Sequence, residues 1–301
     1  MPKDFLQIKP EVARALAANH PVVALESTVI AHGLPRPQNF QTAQHLEQIV
    51  REVGAVPATI AILNGRIYVG LNEEQLKHIA SSTSVHKISC RDLPIAIIKG
   101  WDAATTVAAS IWVAALAGIE VFATGGIGGI HRGASSDVSA DLPELARTSI
   151  LVACSGAKSV LDLAATREWL ETHGVTVLGF GCDEMPAFYS RTSGLMVDAR
   201  VDSVSEAADY ARVRRTLNLI GATLLTIPVP EEFEIPAHEL ETVLRHALRE
   251  AQDKCIGGRD LTPFLLTRMS DESKGATLRA NIALLENNAR IAAQVAKARA
   301  K

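Results

Sequence analysis

Short unbroken apolar runs recur along the chain, separated by longer stretches in which apolar residues return every third or fourth position. That alternation predicts buried strands joined by amphipathic helices, the pattern of parallel βαβ units. Strands are predicted at Val22–Glu26, Ala58–Leu63, Arg66–Leu71, His86–Ser89, Pro94–Ile98, Glu120–Thr124, Ile150–Ala153, Thr176–Phe180 and Ala222–Ile227. Asn64-Gly65, between two of these runs, signals a type I′ hairpin and makes the sheet mixed. Helices are predicted over Glu11–Ala18, Phe40–Val53, Glu73–Ala80, Asp102–Ala117, Lys158–His173, Val204–Leu219, His238–Ala251 and from Thr277 to the end. Asp102 is placed near the N-cap of its helix, and Gly118 is its stop. The stretch Cys182–Gly194 reads as an irregular surface loop.

Composition narrows the class. The chain has 301 residues with no Pro/Ser-rich or charge-run linker, which suits a single α/β domain over 1–301. A net charge of -3 without a Lys/Arg block argues against nucleic-acid or membrane-surface binding, so a small-molecule partner is expected. Cys90, Cys154, Cys182 and Cys255 are widely spaced, which disfavours structural zinc and a disulfide framework. The charged N-terminal stretch does not read as a signal peptide, and a cytoplasmic location is expected. The uncharged run between Asp102 and Glu120 is too short for a membrane span and reads as buried.

Candidate chemistry concentrates between Glu120 and Asp162. A strand there runs into a loop with Gly125, Gly126, Gly128, Gly129 and Gly133, followed by Asp137 and Asp141, a second strand, and a small-residue turn with Lys158. The loop lacks the third glycine of a dinucleotide fingerprint and the Gly-Lys-Ser/Thr of a P-loop. If a helix starts at Lys158, the ammonium meets the positive end of its dipole, which disfavours the charged form and favours a nucleophilic amine; a solvated lysine in a first helical turn is the plainer alternative. Asp137 and Asp141 suit a hard cation such as Mg²⁺ or Mn²⁺, hydrogen bonds to sugar hydroxyls, or capping of the following helix. Glu26, at a strand end, reads as an N-cap or a solvated carboxylate. Asn281 and Asn288 border the apolar stripe of the last helix, where an amide bridges backbone or faces a cavity.

The motifs VALESTVIAHGLPRPQN, RDLP, ATTVAAS, VFATGGIGGIHRGA, DVSADLPEL, SGAKSVLDL, PAFYSRTSG, TPFLL and NIALLENNA, in this order, resemble the pseudouridine-5′-phosphate glycosidase family, also called indigoidine synthase A-like. The resemblance implies an α/β/α sandwich with a mixed, mostly parallel central sheet, assembled as a homotrimer. It implies reversible cleavage of the C–C glycosidic bond of pseudouridine 5′-phosphate to uracil and ribose 5-phosphate. In that chemistry Glu26 protonates the ribose ring oxygen, and Lys158 adds to the anomeric carbon and becomes an iminium (a Schiff base). Asp137 matches a ligand of one mostly water-coordinated Mn²⁺ per subunit. Ser139, Asp141, Lys87 and the backbone at Val107 match substrate contacts; Thr124 and His131 carry over to the phosphate side and Asn281 to the uracil or ribose.

The chain also departs from the family pattern. Only Ser135-Ser136 link HRGA to the aspartate motif, Cys90 stands where arginine is common, and Ala103 stands where glycine is common. Ile227-Pro228-Val229-Pro230 replaces a usual Asn-Pro-Ile-Pro. The shortened link leaves open a related lysine-dependent lyase acting on another C-nucleoside or sugar phosphate, and loss of turnover would leave a binding homologue.

Overall fold

The computed structural model describes residues 5–133, 137–254, 256 and 261–300. In chain order its strands are β1 (Leu6–Ile8), β2 (Val22–Leu25), β3 (Val56–Leu63), β4 (Arg66–Val69), β5 (His86–Ile88), β6 (Ala103–Thr105), β7 (Val121–Ala123), β8 (Ile130–His131), β9 (Leu151–Cys154), β10 (Leu161–Asp162), β11 (Thr176–Phe180), β12 (Ala199–Val201) and β13 (Thr223–Thr226). The helices are α1 (Pro10–Ala17), α2 (Gln38–Val53), α3 (Glu73–Ser81), α4 (Leu93–Ile98), α5 (Val107–Leu116), α6 (Asp141–Arg147), α7 (Leu163–Thr172), α8 (Val204–Thr216), α9 (Ala237–Asp253), α10 (Leu261–Glu272) and α11 (Ala276–Arg299).

Among the described residues one large sheet runs β1-β4-β3-β2-β7-β9-β13-β11-β12, with β6 also paired to β3 and β5 to β6. From β3 through β2 to β12 every neighbour is parallel; β3 meets β4 and β6 antiparallel. The central strands β2, β7, β9 and β13 are buried along their whole length, as strands covered on both faces must be. On one face α2 and α11 lie against β3, β2, β7 and β9, and α8 packs on α11. α5 packs on β2 and β3 with α6 beside it, and α7 lies against β11, completing the second helical layer. The fold is thus an α/β/α sandwich around a mixed, mostly parallel sheet. The Asn64-Gly65 hairpin joins β3 to β4 with both residues at positive φ, 50° and 70°, as its turn type requires.

Several local expectations are corrected. Pro94–Ile98 is not a strand but most of helix α4, which has a proline in its first turn and follows a 3₁₀ turn at Cys90–Asp92. A short apolar run does not distinguish buried strand from buried helix, and proline in a first helical turn lacks only an N–H that would be unpaired anyway. Asp102 caps no helix: it accepts the Asn64 N–H at 2.8 Å and pairs with His78 at 2.6 Å. The chain first makes β6, and Thr106 caps α5. Lys158 does not begin a helix either, because β10 intervenes and α7 starts at Leu163 with Asp162 accepting the Ala165 N–H at 2.9 Å. The Cys182–Gly194 stretch is no mere surface loop, since Met185, Phe188 and Tyr189 are buried. Helix α10 and the strands β1 and β12 were not expected. Ser135, Ser136 and Cys255 lie outside the described residues.

Candidate active site

Parallel strands present their carboxyl ends on one edge, and ligands of open α/β sheets bind outside that edge. Here β2, β7 and β9 are adjacent, with Leu25 opposite Ala123 and Ala123 opposite Ala153. The next residues on the three strands are Glu26, Thr124 and Cys154, so the register alone puts Glu26 beside Thr124. They border a cleft of about 450 Å³. All ten residues expected to act or bind line it: Glu26 and Lys158; Lys87 and Val107; Thr124 and His131; Asp137, Ser139, Asp141 and Asn281.

Glu26 is buried, and the Thr124 hydroxyl donates a short hydrogen bond to its Oε1. Burial pushes its pKa above the ordinary carboxylate value. The Lys158 ammonium and the Thr124 bond oppose that rise without cancelling it, while the Asp141 charge adds to it. The plainer readings of Glu26, a cap or a solvated strand end, therefore do not hold. Its neighbour Ser27 fixes the strand end, its hydroxyl donating to the Ile60 carbonyl at 2.6 Å and accepting the Thr105 N–H at 2.9 Å. The chain then enters a single π-helical turn, Val29–Gly33, that brings Val29 and His32 to the cleft wall. Such turns are frequent at functional sites.

The lysine turn is laced to the glycine loop by main-chain bonds. Ser155 N–H donates to Gly125 O at 2.8 Å, Ile127 N–H to Gly156 O at 3.0 Å and Lys158 N–H to Ile127 O at 3.1 Å. Gly156 has φ +77°, and a Cβ there would stand 2.1 Å from the Pro186 carbonyl oxygen, so both its conformation and its space require glycine. Lys158 is thus held by a rigid turn, and the helix-dipole argument for it lapses.

Asp141 opens α6, and its carboxylate is fully engaged: Oδ1 accepts the Ala108 N–H and Oδ2 the Gly128 N–H, each at 2.8 Å. Ala108 is in the first turn of α5, whose N–H groups have no partner within the helix. Asp141 therefore ties the glycine loop to that helix end, and a Cβ on Gly128 would intrude to 2.1 Å from Ser139 Oγ. Lys87 on β5, Lys158 and Arg91 bring cationic groups to the same cleft, and His131 on β8 brings an imidazole. Among the described residues no three His, Cys, Asp or Glu side chains cluster as a metal cage. Asp137 lines the cleft as an oxygen donor of the kind hard cations take.

Other lining residues were not singled out from the sequence. Thr28, Ser89, Arg91, Phe188 and Leu266 also face the cleft. Phe188 has φ +66°, an outlier for a bulky residue, and its ring lies where a Cβ on Gly126 would approach to 2.6 Å. Strain of this kind persists where surroundings over-determine it, here with the Phe188 N–H donating to the Ser155 carbonyl at 3.0 Å. No periodicity signals such a position. The two asparagines of α11 divide the roles left open for them: Asn281 faces the cleft, whereas Asn288 is fully buried and bonds to backbone at Thr124 and Gly125. Where arginine was expected, the Cys90 thiol donates to the buried Glu144 carboxylate at 3.2 Å, and Arg147 supplies the cation.

The family described as "Indigoidine synthase A like protein" matches residues 11–298. The chain is 52% identical over 294 residues to a protein of Caldanaerobacter subterraneus subsp. tengcongensis named pseudouridine-5′-phosphate glycosidase, covering 97% of this chain and 96% of that one. A Geobacillus kaustophilus protein of the same name is 51% identical over 98% of both chains. Among solved structures, the prealnumycin C-glycosynthase AlnA in complex with ribulose 5-phosphate superposes with a TM-score of 0.91 at 38% identity, over 98% of this chain and 97% of the other. An indigoidine synthase A-like protein of Thermotoga maritima gives the same TM-score at 37% identity, over 99% and 97% of the two chains.

Proposed function

The chain belongs to the indigoidine synthase A-like family, and from that membership we propose that it is a pseudouridine-5′-phosphate glycosidase, cleaving the C–C glycosidic bond reversibly to uracil and ribose 5-phosphate. The observation that carries the reading is one cleft in which a buried carboxyl with a raised pKa, Glu26, shares its wall with an amine, Lys158, close enough to act on its charge. Uracil bound through carbon cannot leave as a nitrogen-linked base does, so the sugar must be opened first. Glu26 gives its proton to the ribose ring oxygen as the bond from that oxygen to the anomeric carbon breaks. The Lys158 amine nitrogen adds to that carbon, and its proton passes to the Glu26 carboxylate left by the first step. A proton delivered to the uracil ring carbon lets the C–C bond break, its electron pair staying with the base, and the sugar remains as an iminium on Lys158. Water adds to the iminium and releases ribose 5-phosphate and the free amine.

Lys87, His131 and Arg91 are assigned to the phosphate end, Ser139 and Asn281 to sugar and base. Asp137 would hold Mn²⁺, whose charge would offset that of the phosphate. Replacement Asp137→Asn is expected to raise the Mn²⁺ concentration needed for half-maximal activity about tenfold or more; unchanged metal dependence would remove Asp137 from that role. The chain is further proposed to act in the cytoplasm as a homotrimer. Val213, Leu217, Leu219 and Ile220, exposed at the end of α8 and in the turn after it, form an apolar surface that such contacts would cover. Sedimentation at three times 32.2 kDa is expected, and a monomer would overturn the assembly.

The deciding experiment offers pseudouridine 5′-phosphate with Mn²⁺ and follows uracil release. Folded protein that releases none would sink the reading. A second reading, a related C-glycosidase for another aglycone, is favoured by the likeness to a C-glycosynthase; turnover on a different member of a C-nucleoside phosphate panel, without uracil release, would select it.

A further inference from the structure

We propose that Asn288 is a positioning residue for this reaction: its buried carboxamide ties the strand end carrying Thr124 to the turn carrying Lys158, and so sets the acid against the nucleophile. The inference rests on the roles given above to Glu26 and Lys158.

Asn288 lies in the middle of α11 with no exposed surface, beside Leu284, Leu285, Ala289 and Ala292. An amide at such a position is unfavourable unless its hydrogen bonds are met. Here they are met by the two active-site loops. Nδ2 reaches Thr124 O at 2.9 Å, Gly125 O at 3.3 Å and Ser155 Oγ at 3.1 Å, and Ser155 Oγ is 3.3 Å from Oδ1. Thr124 and Gly125 have left β7 and Ser155 has left β9, so these groups lie where the regular sheet ladder ends. The side chain of Thr124 holds Glu26, and the chain from Ser155 reaches Lys158 through Gly156 and Ala157. One amide thereby spans the supports of both reacting groups without touching either.

The electrostatics give a signature that simple loss of packing would not. Thr124 donates to Glu26 and favours its charged form, opposing the effect of burial. If Asn288 holds Thr124 in place, loosening it weakens that bond and moves the Glu26 titration to higher pH.

Three variants, Asn288→Ala, Ser155→Ala and Thr124→Val, test this by kcat, KM, pH profile and melting, together with cyanoborohydride capture of ribose 5-phosphate on Lys158. Asn288→Ala is expected to lower kcat about 10- to 100-fold, the effect of a small misplacement at a reacting pair, with KM changed less than about threefold. Its Glu26 limb moves up in pH as in Thr124→Val, and Ser155→Ala shifts kcat and the limb less, in the same direction. A folded Asn288→Ala with wild-type kcat and pH profile overturns the proposal, as does a kcat loss that merely follows the folded fraction. Should Asn288→Ala not fold, Ser155→Ala decides by the same criteria. If the wild type releases no uracil, the glycosidase reading fails separately. Slower capture of ribose 5-phosphate on Lys158 in the folded variant then still supports the positioning role, and equal capture overturns it.

Discussion

Lys158→Ala is expected to stop uracil release, lowering kcat by about 10⁴-fold or more, the scale of losing a covalent nucleophile. Melting is expected to stay close to wild type, because the hydrogen bonds that hold this turn run through the backbone, from Lys158 N–H to Ile127 O and from Leu161 N–H to Lys158 O. The other cations of the cleft do not replace the amine. Lys87 lies on β5 and is assigned to the phosphate end, and the Arg91 guanidinium is a poor nucleophile. Lys158→Arg is therefore expected to be as inactive as the alanine variant. Borohydride added during turnover should leave a ribose-phosphate adduct on Lys158 in the wild type and none in either variant. Residual turnover near wild type in the alanine variant would refute the nucleophile assignment, whatever the relatives are named.

The outline of the fold was legible because its central strands are buried on both faces and therefore read as unbroken apolar runs. The Asn64-Gly65 turn was legible for a different reason: left-handed backbone at two successive positions narrows residue choice enough to leave a mark. Pro94–Ile98 was not legible, since burial on all sides erases the periodicity that separates strand from helix. β6 was hidden inside a predicted helix because Ala103–Thr105 is short and Asp102 resembles a cap. All ten residues to which the motifs pointed line the cleft, but physical reading alone favoured plainer roles for Glu26 and Lys158. What converts them is proximity across strands distant in sequence, which register supplies: Leu25 opposite Ala123, and Ala123 opposite Ala153. Phe188 stayed unread because its importance lies in backbone conformation, and for Asn288 the sequence offered backbone bridging as one alternative but not the partners, which lie more than a hundred residues away along the chain.

Glu26→Gln is expected to reduce kcat by about 10²- to 10⁴-fold, the range of a general acid, while ribose 5-phosphate still binds. The amide keeps the shape of the side chain but has no proton to give the ring oxygen. Because burial raises the Glu26 pKa, the competent protonated form persists above the ordinary carboxylate range and is lost as pH rises through the folded-state value. Activity limited by this group should accordingly fall on the alkaline side of that value. The same shift has a consequence for stability. In the window between the ordinary value of 4.5 and the raised one, the folded protein holds a proton that the unfolded chain has released. The contribution to stability is full below the window and is lost as pH rises through it. Glutamine has no such titration, so the melting temperature of Glu26→Gln should gain on the wild type across that window. Lys158→Ala should widen the window, because the ammonium that favours ionised Glu26 is gone. Parallel melting curves for wild type and Glu26→Gln from pH 4 to pH 8 would mean that Glu26 titrates as an ordinary surface carboxylate, and the acid would then have to be sought elsewhere in the cleft.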